Sequence, residues 1–277
     1  MPYPAKKMKK KYSLILRELK VAKDLLNSGI TTIGNANQEH MGLYYSAFTD
    51  LSQGLERLMK VIIILRSLSE TNKLPTKKEI QSFSHNLEAL YRECANLGLK
   101  LNIVDDLGDR EVITKMINVL DKFASDPDNG RYYNISMILC GDKPLDKMPD
   151  DCIKDWSLEV DEYLIKHHVC NRTKKKNHSK ADSIVPILDK NAIIEMDGEL
   201  GPVIGSQAFV DGNTRYLLSN QLRMFFLAKL VRYLSKILGA QTDVIRGLDS
   251  EVPDYGEIFR YYLTEDKYLR RKRRYNY

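Results

Sequence analysis

Seven apolar residues, Tyr44, Phe48, Leu51, Leu55, Leu58, Ile62 and Leu65, follow one another at alternating steps of four and three. Those steps return to one side of an α-helix on every turn, so the residues form a stripe that has to be covered by other helices. The spacing predicts a long amphipathic helix from Met41 to Leu68, with Asp50, Gln53, Glu56 and Lys60 mostly off the stripe. Glu56 and Lys60 stand i,i+4 with the acid first, the favourable order for a helical ion pair. The run Val61-Ile62-Ile63-Ile64-Leu65 is wider than one stripe. Such an end is either covered on more than one side or offered to a second copy of the chain, and it is the best candidate for a homodimer contact.

Around this helix the pattern stays helical. Leu14, Ile15, Leu19, Ala22, Leu25 and Leu26 predict a first helix, Met8 to Asn27, with Gly29 as its stop signal and Thr31 to Gln38 as a connection. Thr76 after Pro75 can cap a helix from Lys78 to Cys94, and a further helix is expected from Asp109 to Ala124. The turn cluster Asp126-Pro127-Asp128-Asn129-Gly130 follows, then Arg131-Tyr132-Tyr133-Asn134, a loop to Asp151, and a helix from Asp151 to His168. Residues 171–183 are polar and basic with no apolar period and read as a flexible linker. Short apolar stretches between Gly-containing pairs in 184–212 leave room for a short hairpin or an extended arm. Thr214 to Leu238 is helical, closed by Gly239, and a short helix after Pro253 precedes a basic tail.

The expected architecture is all-α: residues 1–170 as a helical bundle, 171–183 as a basic linker, and 184–277 as an arm with C-terminal helices, a helical extension of the bundle. The longest strongly apolar run, Val61 to Leu65, is far too short to span a bilayer, and charge interrupts the apolar residues after the N-terminal lysines. A cytoplasmic protein with no membrane partner is therefore expected. Cys94, Cys140, Cys152 and Cys170 show no zinc-like spacing and read as reduced thiols. No metal or cofactor is expected. Asp105, Asp106 and Asp109 suit a helix N-terminus better than a calcium loop, and Gly198-Glu199-Leu200-Gly201-Pro202 lacks the ending of a phosphate loop.

The net charge of +6 is unevenly spread. Residues 1–11, 171–180 and 267–277 contain no acid and together carry +16, leaving −10 on the rest. An acidic body with basic ends and one basic internal segment is the distribution expected if mobile segments meet a polyanion. In the tail, Arg270, Arg271, Arg273 and Arg274 stand among Tyr268, Tyr275 and Tyr277, a mixture of cations and rings suited to single-stranded nucleic acid. Arg131 and Tyr132 offer the same pairing, a phosphate contact beside a ring that can stack on a base.

Tyr45-Ser46-Ala47-Phe48, Gly54-Leu55-Glu56-Arg57-Leu58-Met59-Lys60 and Ser84-His85-Asn86-Leu87-Glu88-Ala89-Leu90-Tyr91 resemble the core of the HEPN superfamily, helical domains common in bacterial toxin–antitoxin and phage-defence proteins. In that family a long helix with a G-x-E-+-x-x-K pattern is followed by a helix opening with a G-H-[DN]-L-like sequence; here Ser84 stands in place of the Gly. The resemblance covers roughly residues 40–168. It implies a helical bundle that often dimerises and acts on or near RNA. Catalytic members are metal-independent ribonucleases whose Arg and His lie four to six residues apart near the last helix. Only Arg172 and His178 match that spacing here. The His would exchange a proton with the ribose 2′-hydroxyl or the leaving oxygen, and the Arg would hold the phosphate. A pair in a mobile loop lacks the positioning that catalysis needs. The leading expectation is thus a non-catalytic, HEPN-like protein that binds RNA or a cognate partner. An endoribonuclease toxin using Arg172 and His178 is one alternative, and a structural or neutralising partner in a two-component system is another. His85 is expected to satisfy hydrogen bonds at the start of its helix, packed on the long helix before it.

Overall fold

The computed structural model describes residues 9–103, 107–126, 130–139 and 151–275, and these are α-helical apart from one small hairpin. The stripe lies on α2 (Gly42–Thr71), and all seven of its residues are buried. α1 (Lys10–Ile33) packs antiparallel against it. Their approach is set by two glycines: a Cβ on Gly29 would lie 2.7 Å from Leu51 Cγ, and one on Gly54 would lie 2.8 Å from Leu26 Cγ. Each glycine receives a leucine from the facing helix. Gly29 therefore does not stop α1, which runs on because Ile30 and Ile33 are still buried beyond it. The broad end of α2 is covered within the chain, with Val61, Ile62, Ile63 and Leu65 all buried, so those four side chains are not open to a second copy.

The helix expected from Lys78 to Cys94 is two helices. α3 (Lys77–Gln81) is opened by the Thr76–Glu79 capping box, and α4 (Leu87–Lys100) is capped by Asn86, whose side chain accepts from the Ala89 amide. Between them Ser84 has φ +46°, which no helix continues through. Asp109 caps α5 (Arg110–Ser125), and α6 is short (Tyr133–Leu139). α7 (Cys152–Asp155) continues through a π-helical segment, Trp156–Asp161, into α8 (Glu162–His168). Along this stretch Ile153, Trp156, Val160 and Leu164 face the core as their spacing predicts.

Residues 171–183 are helical, not a linker: they belong to α9 (Asn171–Asn191). The apolar period is missing because Ala181 is the one buried residue of that helix, and a Lys-rich segment is a good helix former without a stripe. The hairpin pairs β1 (Glu195–Gly198) with β2 (Gly201–Ile204), antiparallel, with Glu195 opposite Ile204 and a two-residue turn, Glu199-Leu200. α10 (Ser206–Leu248) then runs for 43 residues. It passes Gly239 without ending, since Gln241, Thr242 and Ile245 are still buried. Every residue of α10 from Arg223 to Ser235 is buried, the signature of a central helix. It packs on α1, α2, α4 and α5, and one hydrophobic core runs from Tyr12 to Tyr275, so the C-terminal helices are built into the bundle. A 3₁₀ segment (Gly256–Tyr262) and α11 (Asp266–Arg271) complete the chain. No helix among the described residues is long and apolar enough to cross a membrane.

Arg223 joins the layers. Fully buried, it donates from Nε to Asp161 Oδ1 (2.6 Å), pairs again with Oδ2, and gives Nη1 to the carbonyls of Ala36 (2.8 Å) and Ile33 (3.3 Å). The guanidinium thus meets the π-helical segment and the carbonyl end of α1 at once. Next to it Glu199, from the hairpin turn, accepts from Tyr44 Oη (2.6 Å) and Ser157 Oγ (3.1 Å). Removing one partner of a buried ion pair leaves the other charged and unpaired. Arg223→Ala is expected to lower unfolding stability by about 3–5 kcal/mol in urea titration; a loss below about 1 kcal/mol would show that the pair does not join the layers.

Candidate functional site

Residues from the motifs that carry the family resemblance meet at one place, although they come from α2 and from the turn between α3 and α4. Lys60, on α2, donates from Nζ to Glu56 Oε1 (2.7 Å) and to the backbone carbonyl of Ser84 (2.7 Å). His85 Nδ1 lies 2.9 Å from Glu56 Oε2. Lys60 thereby pins the left-handed turn at Ser84, and that turn presents His85 to Glu56. Burial acts to raise the Glu56 carboxyl, but the hydrogen bonds from His85 and Lys60 outweigh it and hold the group below its ordinary value. An ionised Glu56 can only accept, so in neutral His85 the proton sits on Nδ1 and Nε2 is left as an acceptor.

This cluster forms one wall of a cleft of about 470 Å³ whose other polar groups are Glu18, Thr49, Ser52, Gln53, Arg57 and Arg131. Arg57 is held by Glu18 of α1 (2.5 Å). Arg131, beyond the end of α5, donates to the Ala124 carbonyl (3.1 Å), which fixes the side chain at the rim while leaving further donors unused. A second hollow shares Arg131 and Thr49 and adds Tyr45, Asp50, Phe123 and the exposed ring of Tyr132. The sequence pair Arg131-Tyr132 thus stands beside the Glu56–His85 cluster. The arrangement offers an oriented imidazole and two arginines in the cleft, with an accessible tyrosine ring in the hollow that adjoins it across Arg131. It suits a planar base with its phosphate.

The other candidate residues lie elsewhere. Arg172 and His178 are on a helix, α9, and not in the loop expected, but both are exposed, stand about 120° apart round the helix, and line none of the clefts described above. The tail is folded down, in contrast to the mobile segment expected. Leu269 and Tyr275 are buried, Tyr275 stacks on Tyr262 at 5.7 Å, and Lys272 lies 3.8 Å over the Tyr261 ring. Tyr275 therefore cannot stack on a base. Arg270 lies over Phe225 at 4.4 Å, while Arg271, Arg273 and Arg274 point to solvent.

Among the described residues no group of three metal-ligating side chains comes together, and Cys94, Cys152 and Cys170 form no disulfide. Asp109 caps α5 and meets His168 Nε2 at 2.8 Å; Asp105, Asp106 and Cys140 lie outside the described residues. Two features had weak signals in the sequence. Arg57 is part of the quoted motif but gains its place only through Glu18, a residue of the first helix. Arg223 is a lone charge entering the apolar stretch Met224-Phe225-Phe226-Leu227, a pattern that by itself calls for a buried acid.

Fold and cleft together define an all-α bundle with a polar, partly aromatic opening between α2 and the turn before α4. No protein-family model matches the chain, and neither a curated protein nor a solved structure shows significant similarity to it.

The pH dependence of the cluster follows from Glu56. A carboxyl whose folded-state pKa lies below its unfolded value of 4.5 stabilises the fold above that pH, and the contribution disappears as pH falls through the folded value. The stability difference between wild type and Glu56→Gln, measured by urea unfolding, is therefore expected to be present near pH 6 and to shrink steadily below about pH 4.5. A difference that persists unchanged to about pH 2 would contradict the assignment.

Proposed function

We propose that this chain is a HEPN-like protein that binds single-stranded RNA without cleaving it, and that the opening beside Glu56 and His85 is where a nucleotide sits. One observation carries the reading. Glu56, Lys60, Ser84 and His85, the positions of the family-like motifs, form a single hydrogen-bonded cluster on the wall of a cleft that also holds Arg57 and Arg131. Ser84 adds support, because its φ of +46° is a conformation that favours the glycine of the family pattern. In this reading Arg131 takes a phosphate, Tyr132 stacks on a base, and His85 hydrogen-bonds the sugar or base edge.

A catalytic reading is favoured by a different feature. Glu56 fixes the His85 tautomer as a carboxylate does in general acid–base sites, so a metal-independent endoribonuclease would use His85 with Arg131 rather than Arg172 and His178. One experiment separates the two. A labelled single-stranded RNA is titrated with wild type, Arg131→Ala and His85→Ala at low salt, and its length is checked afterwards. Binding by wild type, weakened about tenfold or more in Arg131→Ala, with RNA left intact, is the expected result. Cleavage by wild type that is absent in His85→Ala would replace binding with catalysis, and no binding by wild type would remove both.

A further inference from the structure

The three cations Arg172, Lys176 and Lys180 stand at i, i+4 and i+8 on α9. They form a row along one side of the helix with a step of about 6 Å per residue pair. Asp182 and Asp189 fall roughly 120° round the helix from that row, on the side that also carries Lys174 and Lys175, so the row itself is the acid-free side of α9. All three cations are exposed. In the tail, Arg271, Arg273 and Arg274 are exposed as well. None of these six has an ion-pair partner among the described residues. The basic residues of α10 behave differently: Arg215, Arg223, Lys229 and Arg232 each hold a carboxylate.

These two unpaired sets are far apart in sequence, and the segments that carry them both border α10. His168, just before α9, packs its ring on Phe226 at 4.7 Å, and Arg270 lies over Phe225 at 4.4 Å. The carbonyl of Lys272 also accepts from Gln221 Nε2 (2.7 Å). The residue that leads into α9 and the tail thereby meet α10 at the same level, residues 221–226, on neighbouring faces about 100° apart. Leu269 and Tyr275, both buried, hold the tail there at either end of its arginines. Keeping six unpaired cations together costs repulsion that a folded protein ordinarily relieves with acids, and a polyanion relieves it here.

We propose that Arg172, Lys176 and Lys180 of α9 and Arg271, Arg273 and Arg274 of the tail form one composite surface that tracks the phosphates of single-stranded RNA. The inference rests on the RNA-binding reading given above and adds to it a second contact area outside the cleft. Regularly stepped cations on a rigid helix suit a phosphate chain, which repeats its charge at every nucleotide. An anionic membrane is the poorer match. Exposed Ile184 and Ile187 follow the cations along the helix and provide no continuous apolar face beneath them.

The test uses the full chain, a fluorescent oligouridylate of about 20 nucleotides, and anisotropy titrations over a range of NaCl concentrations. Two triple variants are compared with wild type: Arg172→Gln/Lys176→Gln/Lys180→Gln, and Arg271→Gln/Arg273→Gln/Arg274→Gln. All six side chains are exposed, so unchanged thermal melting verifies that each variant is folded. The expected result is a loss of affinity of about tenfold or more in each variant at moderate salt, with the salt dependence shallower by roughly 2 in log–log slope, the sum for three phosphate contacts on a single strand. Binding by wild type that neither triple variant alters would overturn the composite surface and leave the cleft reading standing. An effect of only one triple would overturn the joint surface. No binding by wild type would overturn the RNA reading itself. Preferential binding to phosphatidylserine vesicles, lost in both variants, would overturn the choice of RNA.

Discussion

The Arg223–Asp161 pair is the contact on which the other layers depend. Its guanidinium is fully buried, and its donors reach the π-helical segment, the last carbonyl of α1 at Ile33 and the Ala36 carbonyl just beyond it. A helix end buried without partners for its carbonyls is costly, and Arg223 supplies those partners from the centre of α10. Asp161 comes into reach where the chain between α7 and α8 widens to π-helical geometry, a local irregularity that re-aims side chains. The Tyr44 ring lies 5.4 Å from the same guanidinium and hands its hydroxyl to Glu199, so the hairpin is tied to the same centre. Desolvation works against the charges: burial pushes the Asp161 carboxyl above its ordinary value in spite of the pairing, while Asp161 holds the Arg223 guanidinium charged.

Around that centre, two helices of different character divide the work. α2 is amphipathic and uses its polar side for the cleft, while α10 is buried all round through its middle and serves as the axis of the bundle. Close packing of α1 on α2 relies on the absence of a side chain at Gly29 and Gly54. It places Glu18 near Arg57 and so completes one edge of the opening. The tail is anchored by Asp266 between Arg232 (2.6 Å) and Lys229 (3.1 Å) and then by Leu269 and Tyr275. Folding, charge display and the cleft are therefore linked through the same few contacts.

Periodicity made most helices legible from the residues alone, because a helix that buries a stripe must repeat that stripe. Where reading failed, the cause was a residue whose meaning depends on its partners. Gly29 and Gly239 resemble stop signals but lie inside helices, the first because a leucine fills its space and the second because Ile245 still has a core to join. α9 has no stripe to read, since one alanine is all it buries. Ser84 and Asn86 split a segment that looked continuous, and only the left-handed turn at Ser84 reveals why. In the candidate site, Glu56, Lys60, His85, Arg131 and Tyr132 were all visible as individual residues. The packing of His85 on α2 was expected, but the arrival of Arg131 and Tyr132 beside it was not, because it depends on how the end of α5 packs against α2.

In the proposed function, the exposed cations, the cleft and the hollow of Tyr132 beside it share one single-stranded RNA. Photo-crosslinking with 4-thiouridine-substituted RNA, followed by mass-spectrometric mapping of the modified peptides, tests that most directly. Adducts concentrated at Tyr132 and neighbouring cleft residues, with further adducts on α9 and residues 268–274, are the predicted result. Adducts scattered over the surface without regard to these segments, or none at RNA concentrations that saturate binding, would contradict it.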